Sequence, residues 1–203
     1  MSWYIAMSLA SFAICLTACL YHAIRIISLG KPNDFSEPSG NVGPGVAYSF
    51  TGAMSPKKKE SAFLHLPTYT AGVIFHLGTF LSILLFFCIL LDLQFSGGLS
   101  AILSTLLVLS GFCGLGILTK RVVKKELHSL SNPDDYISNI LVTGFQLATS
   151  VYMIYPSFVY FILVSALMLY LPTGKLKHTV YFFAARYHLG FFYGRRNVWP
   201  PKN

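Results

Sequence analysis

Charge is scarce in this 203-residue chain, and acid is scarcer still: 7 Asp and Glu stand against 15 Lys and Arg. Only 11% of the residues are charged, where an ordinary soluble domain carries roughly a quarter. No charged residue occurs between Glu60 and Asp92. That scarcity excludes a well-solvated globular surface and points to an integral membrane protein. The missing acids also exclude chemistries that need carboxylates inside the membrane. A proton relay or a carboxylate-rich metal site lacks its partners, because Asp92 falls at the end of an apolar tract rather than inside one.

Other absences narrow the field further. No HExxH zinc pattern, CxxC pair or ferredoxin-like cysteine run is present, so any iron–sulfur chemistry must come from another subunit. The four cysteines (Cys15, Cys19, Cys88, Cys113) sit in apolar tracts and read as small core-filling residues. Neither a nucleotide-binding nor a flavin motif is present. No internal repeat or inverted pair of interrupted helices argues for a transporter. The N-terminal apolar tract lacks a basic leader and runs from Trp3 to Ile24, longer than the about 7–15 residues of a secretory core, so it is expected to be retained as a helix.

Long hydrophobic runs are what the chain does have. About 20 apolar residues cross a bilayer as a helix. The sequence predicts an all-α bundle of five transmembrane helices over residues 3–29, 67–91, 99–119, 136–155 and 157–178, forming one domain over 1–203. Residues 30–66 read as a loop rich in Gly, Pro and Ser, too irregular to be a domain. Residues 179–203 read as an aromatic and basic tail lying along the membrane interface. Threading five helices puts all 15 Lys and Arg on one side, with Asp92 as the single charge opposite. The positive-inside rule makes that side cytoplasmic, with the N-terminus outside and the C-terminus inside. The net charge of +8 is thereby explained without nucleic acid.

Six histidines remain to be explained. His128 lies in the charged stretch VKKELHSLSNPDD and reads as a solvated surface residue. His22, His65, His76, His178 and His188 lie in or beside apolar segments. Imidazoles on separate apolar helices, free of carboxylate neighbours, suit axial ligation of haem b. The macrocycle needs an apolar slot, and its propionates need cations near the surface. Arg25, Lys175 and Lys177 stand on the basic side for that purpose. Gly72 and Gly78 flank His76 and would let a flat ring approach the backbone. From the residues alone, a histidine hydrogen-bonded to a neighbouring helix accounts for His76 equally well.

The motifs IFHLG (74–78) and LYLPTGKLKH (169–178), with the five-helix layout, resemble the five-helix cytochrome b (gamma) subunits of membrane nitrate reductase. They also resemble the related membrane cytochromes of heterodisulfide reductase and of sulfite-reductase-associated quinone-linked complexes. The resemblance covers most of the chain in layout and about 15 residues in motif. It implies that His76 and His178 are the two axial ligands of one haem b. It further implies an electron-transfer subunit of a quinone-linked oxidoreductase, partnered by a cytoplasmic iron–sulfur or catalytic subunit in a prokaryotic inner membrane. The chain departs from the pattern where the family carries the ligands of a second haem: here stand Phe86 and Tyr160. His22, His65 and His188 are left as candidates for a second haem or a quinone site. The alternative reading is a haem-free membrane anchor or a small transporter.

Overall fold

A computed structural model of the chain describes residues 2–30, 34–58 and 64–201. Lys31, Lys59 and Lys202 of the basic set, and part of the expected 30–66 loop, lie outside the described residues. All regular structure among the described residues is helical. The longer helices are α1 (Trp3–Ser28), α2 (Val42–Phe50), α3 (Leu66–Leu90), α4 (Gly97–Val123), α5 (Pro133–Tyr152), α6 (Phe158–Tyr170) and α7 (His178–Arg195). The fold divides into two compact units. The first comprises residues 1–16 and 67–176, the second residues 17–66 and 177–203, with the boundary falling inside α1.

Three helices, α1, α3 and α4, are each long and apolar enough to cross a membrane; a fourth span is reached if the broken pair Phe158–Tyr170 and Lys175–Arg195 counts as one. These helices make the chain a membrane protein by character. The expectation of five spanning helices is therefore met only in part. At 136–155 a helix does form, but Asn132 and Asp135 exchange side-chain-to-backbone bonds in a capping box that starts it at Pro133. With Asp134, Asp135, Asn139 and Gln146 on board, it is too polar to qualify. At 157–178 the helix stops at Tyr170: Leu171 keeps helical dihedrals, but Pro172 follows with no N–H to continue the hydrogen-bond ladder. Thirteen residues rise only about 20 Å, short of the roughly 30 Å hydrocarbon core.

The first unit is organised around α5, which packs against both α4 and α6. Its interior is unusually polar. Ser104, Ser110, Asp135, Ser138, Thr143, Gln146, Thr149 and Ser150 are buried beside Leu85, Phe86, Leu107, Phe145 and Val164. Large apolar side chains such as Leu77, Phe80, Leu106 and Phe112 face outward instead. That distribution suits helices in lipid, where apolar burial does not drive association and small or polar residues join the helices. Ser104 and Ser150 hydroxyls meet at 2.8 Å, and Phe12 of α1 meets Phe87 of α3 edge-on at 5.4 Å between ring centres. One end of the unit is tied by charge: Asp135 pairs with Lys175 and with Arg121, the latter at 3.6 Å.

In the second unit the expected irregular loop holds α2, and the expected interfacial tail is largely α7; the two pack closely on each other. Gly45, Gly190 and Gly194 make this possible. A Cβ on Gly45 would lie 2.6 Å from Gly190 O, and one on Gly194 would lie 2.9 Å from Asn41 O. Backbone meets backbone, and Ser49 Oγ donates across the crossing to Arg186 O at 2.8 Å. The last carbonyls of a helix need partners from outside it. Here Ser39 N–H and Gly40 N–H both donate to Arg195 O at 2.9 Å. Arg196 donates from both Nη atoms to the Asp34 carboxylate, at 2.7 and 3.2 Å, and lies over the Phe192 ring.

Candidate functional site

His76 stands midway along α3, exposed on an apolar helix. Its Nδ1 lies 2.7 Å from Gly72 O, one turn earlier. A carbonyl can only accept, so Nδ1 carries a proton, and in the neutral form of the ring the lone pair is on Nε2. That is the tautomer a metal-ligating imidazole needs, with its second nitrogen anchored. A Cβ at Gly72 would meet nothing within 4 Å, so the backbone beside the ring is open. On the opposite side of α3 the packing is tight: Gly78 faces Ser110, and Gln146 reaches Phe75 O at 2.8 Å. The donor set at His76 therefore fits one axial position of a haem iron.

The other candidates are distributed between the two units. His178 is the first residue of α7, exposed, and belongs to the second unit, whereas His76 belongs to the first. Lys177 precedes it and is also exposed. Arg25 is exposed near the end of α1, and His65 is exposed just before α3. Lys175, expected beside a haem propionate, pairs with Asp135 and is half exposed. His22 is brought to Tyr181, whose hydroxyl lies 3.4 Å from its Nδ1. His128 meets the Tyr136 hydroxyl at 2.9 Å.

His188 lines a cavity of about 530 Å³ in the second unit, formed by Ala23, Ile26 and Ile27 of α1 with Val180, Phe183, Ala184 and Tyr187 of α7. Its walls are apolar, and the His188 ring and the Tyr187 hydroxyl are its hydrogen-bonding side chains. This volume falls within the about 300–1,000 Å³ of ordinary ligand sites. The carboxyl of Asp34, near the far end of α7, is held down to about 2 by the Ser36 hydroxyl and then by Arg196.

Phe86 and Tyr160, which stand where the resemblance would put further ligands, are core residues, 0% and 3% exposed. Tyr160 packs against Tyr152 at 4.8 Å and Phe161 at 5.3 Å between ring centres. Sequence reasoning missed Gln146 and Ser110. Asn139, Thr143, Gln146 and Ser150 recur at helical spacing along α5, and that polar face in a largely apolar helix was the available signal.

Site and fold together define a helical membrane protein with a tautomerically fixed histidine on one helix and a largely apolar cavity elsewhere. No protein-family model, curated protein or solved structure matches the chain.

Proposed function

We propose that the chain is the membrane cytochrome b subunit of a respiratory redox complex, passing electrons between the quinone pool and an iron–sulfur partner subunit. The observation that carries the reading is the Nδ1–Gly72 bond of His76, which leaves Nε2 as a donor on an apolar membrane helix. Haem b, when bound, supplies a reversible one-electron couple. By the resemblance, His76 and His178 are its proposed ligands, with Arg25, Lys175 and Lys177 as cations for the propionates. The cavity beside His188 and Tyr187 suits the ring of a membrane quinone: both side chains hydrogen-bond its oxygens while the apolar walls exclude water. The basic loops face the cytoplasm, where the iron–sulfur partner docks.

The test is the reduced-minus-oxidised visible spectrum of the purified chain. The expected result is a haem b alpha band with close to one haem per chain, and loss of the low-spin signal in His76→Ala and in His178→Ala. A fully assembled protein without a Soret band overturns the proposal, and retention of the signal in both variants overturns the ligand assignment. A haem-free anchor or small transporter is the second reading. It is favoured by the buried Phe86 and Tyr160, which fill two of the family's ligand positions with aromatic core.

A further inference from the structure

Gln146 lies in the middle of α5 and is fully buried, 0% exposed. A buried amide needs partners for both N–H groups and for its oxygen. All of them come from the neighbouring helices. Nε2 donates to Phe75 O and to Thr79 Oγ1 of α3, each at 2.8 Å. Oε1 accepts from Ser110 Oγ of α4 at 2.8 Å, and the same hydroxyl lies 3.0 Å from Ile74 O. Gly78 lets α3 come this close, since a Cβ there would sit 3.3 Å from Gln146 Oε1 and run into Ser110.

Of the two carbonyls beside this cluster, Phe75 O, which immediately precedes His76, is gripped by Gln146, and Ile74 O lies beside the Ser110 hydroxyl, whose one proton goes to Gln146 Oε1. As helix carbonyls they already accept main-chain N–H groups, so α3 does not need these extra bonds for its own satisfaction. What α3 lacks is a reason in its hydropathy to face one way. It is apolar on all sides, so hydropathy does not set its rotation; close packing at Gly78 and Phe86 and contacts to polar side chains do. The geometry points to Gln146, assisted by Ser110, as a positioning residue for His76. It fixes the rotation of α3 and with it the direction of the Nε2 lone pair. The inference rests on the reading of His76 as a ligand given above. Ser150 provides the contrast: it also bonds α4, through the Ser104 side chain and backbone, but touches no carbonyl near a candidate ligand.

The experiment uses the full chain in detergent and compares Gln146→Met, Gln146→Glu, Ser110→Ala and Ser150→Ala. The readouts are the low-spin electron paramagnetic resonance signature, the haem midpoint potential and the rate of haem loss to apomyoglobin. Gln146→Met keeps the volume and removes the bonds. It is expected to shift the signature and potential and to speed haem loss about tenfold, the low end for an outer-shell partner. Ser110→Ala shifts them the same way by less and keeps the test open if Gln146→Met does not fold. Gln146→Glu, neutral when buried, retains one O–H donor and restores part of the shift. Ser150→Ala leaves signature and potential at wild type. Wild-type values in both Gln146→Met and Ser110→Ala overturn the inference, as does an equal shift in Ser150→Ala. If the wild-type chain holds no haem, the cofactor reading falls separately. The clamp is then read by the rate of diethyl pyrocarbonate modification at the His76 peptide. Gln146→Met should change that rate and Ser150→Ala should not; equal rates overturn it.

Discussion

Replacing Gly190 by Ala should loosen the α2–α7 crossing, although alanine is the better helix former. The added Cβ would lie 2.9 Å from Gly45 O and from Val46 N, and closer still to Val46 Cα. Non-bonded carbons prefer about 3.5–4.0 Å. The obstacle is backbone, which has no rotamer to yield, so the helices must separate. Overpacking of this kind costs about 1–3 kcal/mol. Separation also stretches the Ser49 Oγ–Arg186 O bond, worth about 1 kcal/mol net. Against this stands the helix-propensity gain of Ala over Gly, about 1 kcal/mol. The net loss is about 1–3 kcal/mol, or roughly a 5- to 140-fold rise in local opening at about 1.4 kcal/mol per decade. Amide hydrogen exchange across residues 42–50 and 178–195 of the whole chain measures it. Gly144→Ala in α5 is the control, because its Cβ meets nothing within 4 Å, and exchange across residues 42–50 and 178–195 should be unchanged in it. Exchange in Gly190→Ala no faster than wild type would refute the close-approach argument.

Two further perturbations test the charged ties. The Asp34 carboxyl titrates at about 2 when folded, below its ordinary 3.8, so its contribution is full above pH 4 and is lost as pH falls through about 2. Exchange at the Ser39 and Gly40 amides should therefore rise more steeply over that window than in Asp34→Asn, which removes the titration; identical profiles would count against the tie. At Asp135, Asn should keep the bond to the Asn132 N–H and lose only the attraction to Lys175 and Arg121, whereas Ala loses both. Lys175 is half exposed, which screens its part, so about 1 kcal/mol is expected for Asn and about 2–3 kcal/mol for Ala. Thermal unfolding in detergent separates them, and a wild-type melting temperature in Asp135→Asn would show that the charge contributes nothing.

By itself the sequence determined where the long apolar helices form, because apolar length and punctuation are local properties. The uncharged runs 3–29 and 67–91 match helices 3–28 and 66–90 to within a residue, whereas 99–119 falls short of 97–123, which continues through Lys120 and Arg121. His76 could be singled out for the same reason, as a polar ring in a run that tolerates few. Tertiary structure decided which polar residues turn inward. Gln146 and Ser110 look incidental in one dimension, and only the approach of α3 at Gly78 gives their hydrogen bonds an object. It also decided that 34–58 is not mere connector, since Gly45 finds its reason for being glycine in Gly190 and Gly194, some 145 residues away in the chain. Pairings over that distance depend on shapes that no local periodicity encodes. Lys175 shows the same limit: its charge was legible from the sequence, but its partner Asp135 was supplied by the fold.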